Sequence, residues 1–370
     1  MNNGSRLAAV DSILLLVRGS ELHNRIPVGI ATCPVAFNQD VKALQTREGL
    51  LPEFLLYWLL GNEKLLLSKV EETGIGAGKL DTDVLKRISM HLPCLAEQRS
   101  IVHILGALDD RIELNWQMNA TLESMARALF KSWFIDFDPV RAKSKGSDPG
   151  LPADIAALFP DSFEDSDLGE IPKGWAAGGF GNLISQRTER LRDRSAVVLS
   201  AMAAGELVSS DEHFTKRVYS QEIGKYLAVE QWDFAYNPSR VNIGSIGMLK
   251  EPLLGGVSPV YVVFRPQAAY RWFVEFNLRQ PSTKQWISTL ASGSVRQSLS
   301  YADFASLPCV IPPETIIPRF DEVWTGLRAG ILSRSDESRT LTALRDTLLP
   351  KLLSGELRVK NVGQSMEAHA

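Results

Sequence analysis

The chain has 370 residues, of which 45% are apolar and 22% are charged, an ordinary globular composition that leaves room for two domains. Its longest apolar runs fall short of the roughly 20 residues of a membrane-spanning helix, and its first residues lack the apolar run of a secretion signal, so we expect a cytoplasmic protein that spans no membrane. The net charge of −3 excludes the strongly basic composition that is typical of many nucleic-acid-binding proteins.

A long helix is predicted over residues 96–134, within a helical region that extends to residue 145. Side chains there recur at alternating spacings of four and three residues, the pattern of a coiled-coil seam. The predicted seam consists of Ile101, Leu105, Leu108, Ile112, Asn115, Leu122 and Leu129. At about 1.5 Å per residue this helix would be about 58 Å long, far beyond the usual globular helix, so it needs a partner.

An acidic linker is predicted over residues 146–170, which contain seven acidic residues and no basic one. A mixed α/β domain is predicted over residues 171–312, where 15 Lys and Arg against 11 Asp and Glu leave a charge of +4. Short β-like runs divided by turns and two helical patterns favour this fold class. The β-like runs cover residues 226–236, 257–264 and 309–311, and the helical patterns cover residues 272–278 and 282–290.

A second long helix is predicted over residues 314–353, in a region that spans 313–358, and residues 359–370 are expected to form a disordered tail. Its predicted seam consists of Phe320, Trp324, Leu327, Ile331, Leu341 and Leu348. Both seams become polar at matching places, Asn115 with Asn119 and Arg334 with Ser338, which is typical of pairs with a fixed register. We expect the two helices to pair with each other; two unrelated amphipathic helices, each packed on its own domain, are the alternative.

An internal repeat relates the two halves of the chain. Adding 219 to a position in the first third often gives a similar residue, as from Leu80 to Leu299 and from Pro93 to Pro312. Trp175, near the start of the second domain, has no counterpart, because its equivalent would lie about 44 residues before the first position. Residues 1–95 are therefore predicted to be a partial first domain.

The segment Asn237-Pro238-Ser239-Arg240, which follows Tyr236, is similar to the Asn-Pro-Pro-aromatic motif of amino-methyltransferases but departs from it at the third and fourth positions. No glycine-rich turn after a strand offers a site for a methyl donor. We interpret the segment, together with Asn242, as a polar loop at a DNA groove, because Asn can read adenine and Arg can read guanine or contact phosphate. A turn that uses Asn and Pro for backbone reasons fits equally well.

Phosphate contacts are predicted in two corresponding loops and in one basic group. Residues 74–79 resemble a nucleotide-binding loop, but Thr73 and Leu80 stand where that pattern needs Gly and Ser or Thr, so nucleotide binding is not expected. The candidate DNA-contact residues are Lys79 in this loop, Ser294, Arg296 and Gln297 in the corresponding loop, and Arg187, Lys216 and Arg217 early in the second domain. Any single cation of the last group could equally belong to a solvated surface.

No catalytic or metal site is predicted. The five histidines form no pair at metal-ligand spacing, and no Ser, His and Asp set stands in a recognisable frame. The three cysteines, Cys33, Cys94 and Cys309, are too widely spaced for a zinc site or a disulfide framework. We expect a protein that binds no cofactor of its own.

Several segments resemble the specificity subunits of type I restriction-modification enzymes. The sequence LPCLAEQR at residues 92–99, together with residues 104–115 and 125–141, is similar to the central conserved region of that family. The sequence GEIPKGW at residues 169–175 resembles the entry to a second target recognition domain, residues 292–299 its closing segment, and residues 344–357 the C-terminal conserved helix. The resemblance covers most of residues 36–358 and departs from the family pattern only at the N-terminus.

The resemblance implies a mixed α/β fold in which two globular target recognition domains are separated by two long antiparallel coiled-coil helices. It implies a non-catalytic subunit that reads double-stranded DNA and assembles with two modification subunits, which methylate adenine, and with restriction or motor subunits. S-adenosylmethionine, ATP and Mg would then be bound by the partner subunits. The alternatives are a truncated half-type specificity protein that acts as a dimer or is an inactive remnant and, less favoured, a DNA methyltransferase or nuclease.

Overall fold

The computed structural model describes residues 6–73, 76–202, 205–213, 222–291 and 298–359. The chain divides into two compact units, unit 1 with residues 1–121 and 330–370 and unit 2 with residues 122–329. Both division points fall inside the long helices, so each of these helices contributes one part to each unit. The sequence predicts the helices as regions apart from the domains, whereas each helical part packs on the core of a unit.

Short strands alternate with helices along the described residues. The strands are β1 (Arg6–Ala8), β2 (Ile13–Leu16), β3 (Arg18–Gly19), β4 (Val28–Ile30), β5 (Val35–Phe37), β6 (Val41–Leu44), β7 (Val70–Glu72), β8 (Gly78–Leu80), β9 (Phe163–Ser166), β10 (Gly169–Pro172), β11 (Ala176–Gly179), β12 (Ile184–Arg187), β13 (Val197–Ala201), β14 (Leu207–Ser209), β15 (Leu227–Val229), β16 (Phe234–Tyr236), β17 (Ile246–Met248), β18 (Gly255–Val257), β19 (Val262–Pro266) and β20 (Pro308–Ile311). The helices are α1 (Pro52–Gly61), α2 (Glu63–Leu67), α3 (Thr82–Leu85), α4 (Leu95–Phe134), α5 (Asp138–Ser144), α6 (Ala153–Ala156), α7 (Ser210–His213), α8 (Arg271–Leu278), α9 (Pro281–Leu290), α10 (Tyr301–Ala305) and α11 (Ile317–Leu353). Helices α4 and α11 confirm the two long helices predicted from the seam pattern.

Unit 1 has one apolar core to which sheets and helices all contribute. Antiparallel strands in the orders β4-β2-β6 and β3-β8-β7 form its main sheets, and α1 packs on the first of them. The fully buried side chains include Ile13 of β2, Phe54 of α1 and Leu105 of α4. The C-terminal end of α11 closes this core with Leu349 and Leu352. The packing of α11 on this core therefore continues beyond Leu348, the last residue of its predicted seam.

Within unit 1 the two long helices pair in antiparallel orientation. The Nδ2 atom of Asn119 donates to the Oγ atom of Ser335 at 3.2 Å. Nearer the start of α4 and the end of α11, Arg345 donates to a carboxylate oxygen of Asp109 at 2.8 Å. As the residue numbers of the contacts increase along α4, those of their partners on α11 decrease, so the helices are antiparallel. The prediction that the two helices are each other's partners is confirmed.

The buried polar centre of this helix pair is Asn115. Its Nδ2 atom donates to the Oε2 atom of Glu337 at 3.0 Å and to the Oγ atom of Ser338 at 3.3 Å. Arg111 adds a two-pronged ion pair with Glu337 at 2.9 and 3.2 Å. A buried amide with partners on the opposite helix favours one register over the others. All residues of both predicted seams are buried or half-buried.

Unit 2 contains two four-stranded sheets among its described residues, with the strand orders β12-β19-β16-β17 and β14-β13-β18-β15. The pairings are antiparallel except that β13 runs parallel to β18. The run predicted over residues 226–236 forms two strands, β15 and β16, because Trp232 turns the chain with a φ of 74°. These sheets place unit 2 in the predicted mixed α/β class.

The predicted acidic linker is partly structured. It contains α6 and most of the hairpin β9–β10, whose antiparallel register pairs Gly169 with Ser166. The segment is anchored near its middle by Phe159 and directly after its last residue by Ile171, because both side chains are almost completely buried. An acidic composition alone did not indicate these anchors. The predicted disordered tail lies outside the described residues except for Val359.

An aromatic cluster forms the centre of unit 2 around the two long helices. Phe320 of α11 packs edge-on against Phe130 at a centroid distance of 5.5 Å and against Phe276 at 5.2 Å. Phe134 lies 5.5 Å from Phe320 and 5.4 Å from Phe273. Edge-to-face pairs at these distances add to the stabilisation that burial provides. The cluster fixes α8 and the two long helices in one core.

Asp321 of α11 is expected to weaken unit 2 at neutral pH. Burial raises the pKa of its carboxyl group to about 6, Arg271 offsets this only in part, and its Oδ1 atom has no hydrogen-bond partner. A folded-state pKa above the unfolded value means that stability is lost as pH rises from about 4 through 6. We expect Asp321→Asn to raise the free energy of unfolding by about 1 kcal/mol at pH 7.5 and to be neutral at pH 4, a figure reduced for partial exposure.

Urea titrations at the two pH values would measure this difference. Glu322→Gln is the matched control, because Glu322 is exposed and pairs only with Arg319 on its own helix; we expect it to change stability by less than about 0.5 kcal/mol. A gain at Asp321 that does not depend on pH would contradict the assignment of the effect to the buried charge.

Candidate nucleic-acid interface

A tight polar loop connects β16 to β17 in unit 2. The backbone N–H of Asn237 donates to the carbonyl of Ser245 at 3.1 Å, and the N–H of Ser245 donates to the carbonyl of Arg240 at 3.1 Å. Gly247 lets β17 approach β14, because a β-carbon there would lie 2.4 Å from the carbonyl carbon of Glu206. The loop is therefore built on a rigid base and projects its tip outward.

Tyr236 is a core residue, so its prediction as a DNA contact is wrong. The ring is fully buried and stacks on Phe304 at a centroid distance of 5.0 Å. Its hydroxyl donates to the carbonyl of Leu299 at 3.2 Å, and burial raises the pKa of the hydroxyl well above its ordinary value. Tyr236 is the last residue of β16 and packs in the core, whereas the motif that follows it, residues 237–240, lies in the loop.

Asn237 adopts the turn that the sequence left open as an alternative. Its Oδ1 atom accepts the backbone N–H of Ser239 at 3.1 Å, an Asx turn, and its side chain is half-buried. Arg240 and Asn242, by contrast, are exposed at the tip. Beside them Ile243, which the sequence analysis did not single out, exposes 68% of its surface. The exposed tip thus combines a cation, an amide and an aliphatic side chain.

The second predicted contact loop is not described in the structure. Ser294, Arg296 and Gln297 lie outside the described residues, as do Lys216 and Arg217 of the basic group. The chain that follows the loop is nevertheless held beside residues 237–240, because the N–H of Leu299 donates to the carbonyl of Pro238 at 3.1 Å.

Arg187 is engaged in an ion-pair network within unit 2. It donates to Glu230 at 3.1 Å and to Glu189 at 3.3 Å, and Arg194 also pairs with Glu189 at 2.9 Å. Arg265 shares Glu230 at 2.9 Å. Because the Arg187 guanidinium is already paired with two carboxylates, exchanging them for a DNA phosphate would gain little electrostatic energy. The solvated-surface alternative therefore suits Arg187 better than DNA contact.

Lys79 lies in unit 1, in strand β8. Its Nζ atom is 3.9 Å from a carboxylate oxygen of Asp81, and the side chain is partly exposed. Strand β8 pairs with β3 and β7, which keeps Lys79 next to Arg18 and Glu71 in register. The first two residues of the predicted loop lie outside the described ranges. Lys79 stays a candidate contact of unit 1.

Reactive groups are sparse in the part of the chain that the structure describes. No group of three or more His, Cys, Asp or Glu side chains there could hold a metal ion. Burial raises the pKa of the Cys309 thiol to about 12, which suits a packing role. None of the helices in those same ranges is long and apolar enough to cross a membrane.

Sequence reasoning missed helix α9 as part of this surface. Lys284 and Ile287 of α9 line a cavity of about 320 Å³ together with Asn242 and Ile243 of the loop. The signal that could have found α9 is the absence of acidic residues from the chain between Glu275 and Asp303. Motif searches do not register such an absence.

Comparison with known proteins shows which family this chain is similar to. The family described as "Type I restriction modification DNA specificity domain" matches residues 11–124. The type I restriction enzyme HindI specificity subunit of Haemophilus influenzae is 28% identical over 368 residues, covering 83% of this chain and 78% of the relative. The MjaIX specificity subunit of Methanocaldococcus jannaschii is 25% identical, covering 92% and 78%.

A solved structure agrees with this assignment at the level of the fold. The type I restriction-modification S subunit from M. genitalium superposes with a TM-score of 0.53 at 16% sequence identity. The match covers 94% of this chain and 83% of that one. With relatives along most of its length and a neighbour of the same fold, the chain is similar to the specificity subunits of type I restriction-modification enzymes.

Proposed function

We propose that this protein reads a DNA sequence within a type I restriction-modification complex and directs methylation and restriction by partner subunits. The observation that carries the proposal is the relationship to specificity subunits over most of the chain. The exposed polar tip of residues 239–243 supports it, because Arg, Asn and aliphatic side chains are the groups that contact base edges and phosphates.

The proposed partners are double-stranded DNA, two modification subunits and restriction or motor subunits. The internal repeat supports two modification subunits, because two similar copies of one unit offer two similar binding surfaces. S-adenosylmethionine, ATP and Mg would be bound by these partners, which supply the methyl transfer and the motor activity. The assembly would act in the cytoplasm, where the DNA is.

The paired helices of unit 1 offer a surface for a modification subunit. Trp116 of α4 exposes 62% of its surface. Trp116 borders a cavity of about 540 Å³ with Ser338 and Arg339 of α11. An exposed aromatic side chain next to a concave surface is typical of protein interfaces.

Trp116→Ala is expected to weaken binding of the modification subunit by about 10- to 100-fold, because a central aromatic anchor often contributes about 2 kcal/mol or more to an interface. Isothermal titration of the modification subunit into the purified chain would measure this. Leu65→Ala, at a similarly exposed apolar side chain of α2, is the control and should bind like the wild type. Unchanged binding by Trp116→Ala would remove this surface from the proposal.

The test of the function is co-expression with a type I modification subunit from the same source, followed by mass determination and selection from a library of random DNA duplexes. A complex of two modification subunits with one copy of this chain that selects a split motif is the expected result. A complex that selects only one half-motif would indicate that one unit does not read DNA. Absence of any complex would overturn the proposal.

A further inference from the structure

Helix α9 is anchored in unit 2 by one narrow face. Thr283 and Ile287, one turn apart, are buried, and the hydroxyl of Thr283 donates to the Oδ1 atom of Asn277 at 2.9 Å. At 3.6 residues per turn, Gln285 lies about 180° around the helix from the midpoint of these two residues. Ser282 lies beside Gln285 on the same outer face. Apart from its two anchors, every side chain of α9 is exposed.

Two stretches of chain at this surface contain no acidic residue, although the buried Glu275, which pairs with Lys250 and Arg279, also lines the cavity beside α9. Between Glu275 and Asp303, and between Asp233 and Glu251, the chain has no Asp or Glu over 27 and 17 residues. At the chain's average of 43 acidic residues in 370, these stretches would carry about five. They contain Lys and Arg together with many Ser, Thr, Asn and Gln residues. Stretches of chain that carry cations and no carboxylates favour a polyanionic partner.

Described residues of the two acid-free stretches lie next to each other in unit 2. The cavity between them is lined by Asn242 and Ile243 from the loop and by Lys284 from α9. The hydrogen bond from Leu299 to Pro238 joins them a second time. Exposed Lys284 thus lines this concave region, and exposed Arg240 lies in the same loop as Asn242, so that both cations are available to the phosphates of a bound duplex.

We propose that α9 is the base-reading helix of unit 2, lying in the major groove of duplex DNA with Gln285 at the base edges and with Lys284 and Arg240 on flanking phosphates. The proposal rests on the proposed function and names its specificity-determining element. A helix about 10–12 Å across fits a major groove about 12 Å wide. Gln is one of the two side chains that bond adenine through two hydrogen bonds.

The face opposite the anchors suits base reading better than a protein contact. Ser282, Gln285 and Thr289 present hydroxyl and amide groups there, and the Thr289 hydroxyl donates to the carbonyl of Gln285 at 2.9 Å. Trp286 lies to one side of this stripe, half exposed. A protein-binding helix would more often place its apolar side chains at the centre of the outer face. In α9 the centre of the outer face is instead the side-chain amide of Gln285.

The experiment uses the full chain assembled with its modification subunits and compares selected duplexes for Gln285→Ala, Lys284→Ala and a control. Gln285→Ala should lose the preference for one or two bases in a single half-site and bind the wild-type motif about 10- to 100-fold more weakly. Lys284→Ala should weaken binding to all duplexes alike and lower the slope of log affinity against log salt by about one. Gln186→Ala replaces an exposed Gln on β12, at the other edge of the sheet from β17, and should behave like the wild type.

The outcomes separate this inference from the proposed function. If the wild-type complex selects a split motif and Gln285→Ala selects the same motif with the same affinity, α9 does not read bases and the inference is overturned. It is also overturned if Gln285→Ala or Trp286→Ala abolishes assembly with the modification subunit, because α9 is then a protein contact. If the wild-type complex selects no motif, the proposed function itself fails. Thermal unfolding of each variant checks that these exposed substitutions leave the fold intact.

Discussion

Phe320→Ala is expected to lower the free energy of unfolding of unit 2 by about 4 kcal/mol, the typical cost of removing a buried aromatic ring. Phe320 lies on α11 and is fully buried, and its ring contacts aromatic rings of α4 and α8. Its removal leaves a cavity where three helices meet, and rigid helices cannot close such a cavity by small side-chain movements. Since a whole domain has only about 5–15 kcal/mol of stability, unit 2 would become marginal.

Urea unfolding followed by tryptophan fluorescence would measure this loss, because Trp324 lies 5.0 Å from Phe276 in the same cluster. Val323→Ala is the control on the same helix, at a side chain that is 37% exposed, and should cost less than about 1 kcal/mol. Phe320→Leu, which keeps most of the apolar volume, should fall between the two. A loss below about 1 kcal/mol for Phe320→Ala would show that the cluster repacks.

Arg265→Met is expected to lower the free energy of unfolding by about 3 kcal/mol at pH 7, because it leaves a buried carboxylate without its counter-ion. Asp233 is 0% exposed and accepts the Nε–H of Arg265 at 2.6 Å, while the backbone N–H of Glu230 supplies its other hydrogen bond at 2.8 Å. Burial raises the pKa of Asp233 even with this arginine present, since desolvation outweighs the hydrogen bonds. Without Arg265 the folded-state pKa would rise further.

The pH dependence identifies the cause of this loss. A carboxyl group whose folded-state pKa lies above its unfolded value destabilises the fold as pH rises through that interval. The cost of Arg265→Met should therefore be smallest near pH 4 and should grow toward pH 7. The double variant Arg265→Met with Asp233→Asn carries no buried charge and should recover most of the stability. Urea titrations at several pH values would measure each of these differences.

Arg194→Met is the matched control for Arg265→Met. Arg194 pairs with Glu189, which is largely exposed, and donates to the backbone carbonyls of Leu191 and Arg190, so its loss leaves no buried charge and should cost about 1 kcal/mol, less than the loss of Arg265. Equal losses for the two arginines, or a cost for Arg265→Met that does not change with pH, would contradict the role assigned to the buried Asp233.

The sequence by itself determined the long helices, their pairing and the class of protein. The seam spacing is a local property that recurs every seven residues, and the buried Asn115 within it marks the register without reference to any distant residue. The repeat with an offset of 219 relates the two halves. The segments at residues 92–99 and 169–175 are specific enough to indicate the family. Each of these signals is visible in the order of residues along the chain and requires no knowledge of which side chains are buried.

Only the tertiary structure decided which polar residues are available to a partner. Tyr236 is buried by Phe304, and Arg187 is neutralised by Glu230, through contacts between residues 68 and 43 positions apart in the chain. The exposed face of α9 is likewise set by the tertiary structure, which buries Thr283 and Ile287 and leaves the opposite face in contact with solvent. Exposure and ion pairing depend on long-range packing, so a short motif predicts the residue types of an interface but does not predict which of them point outward.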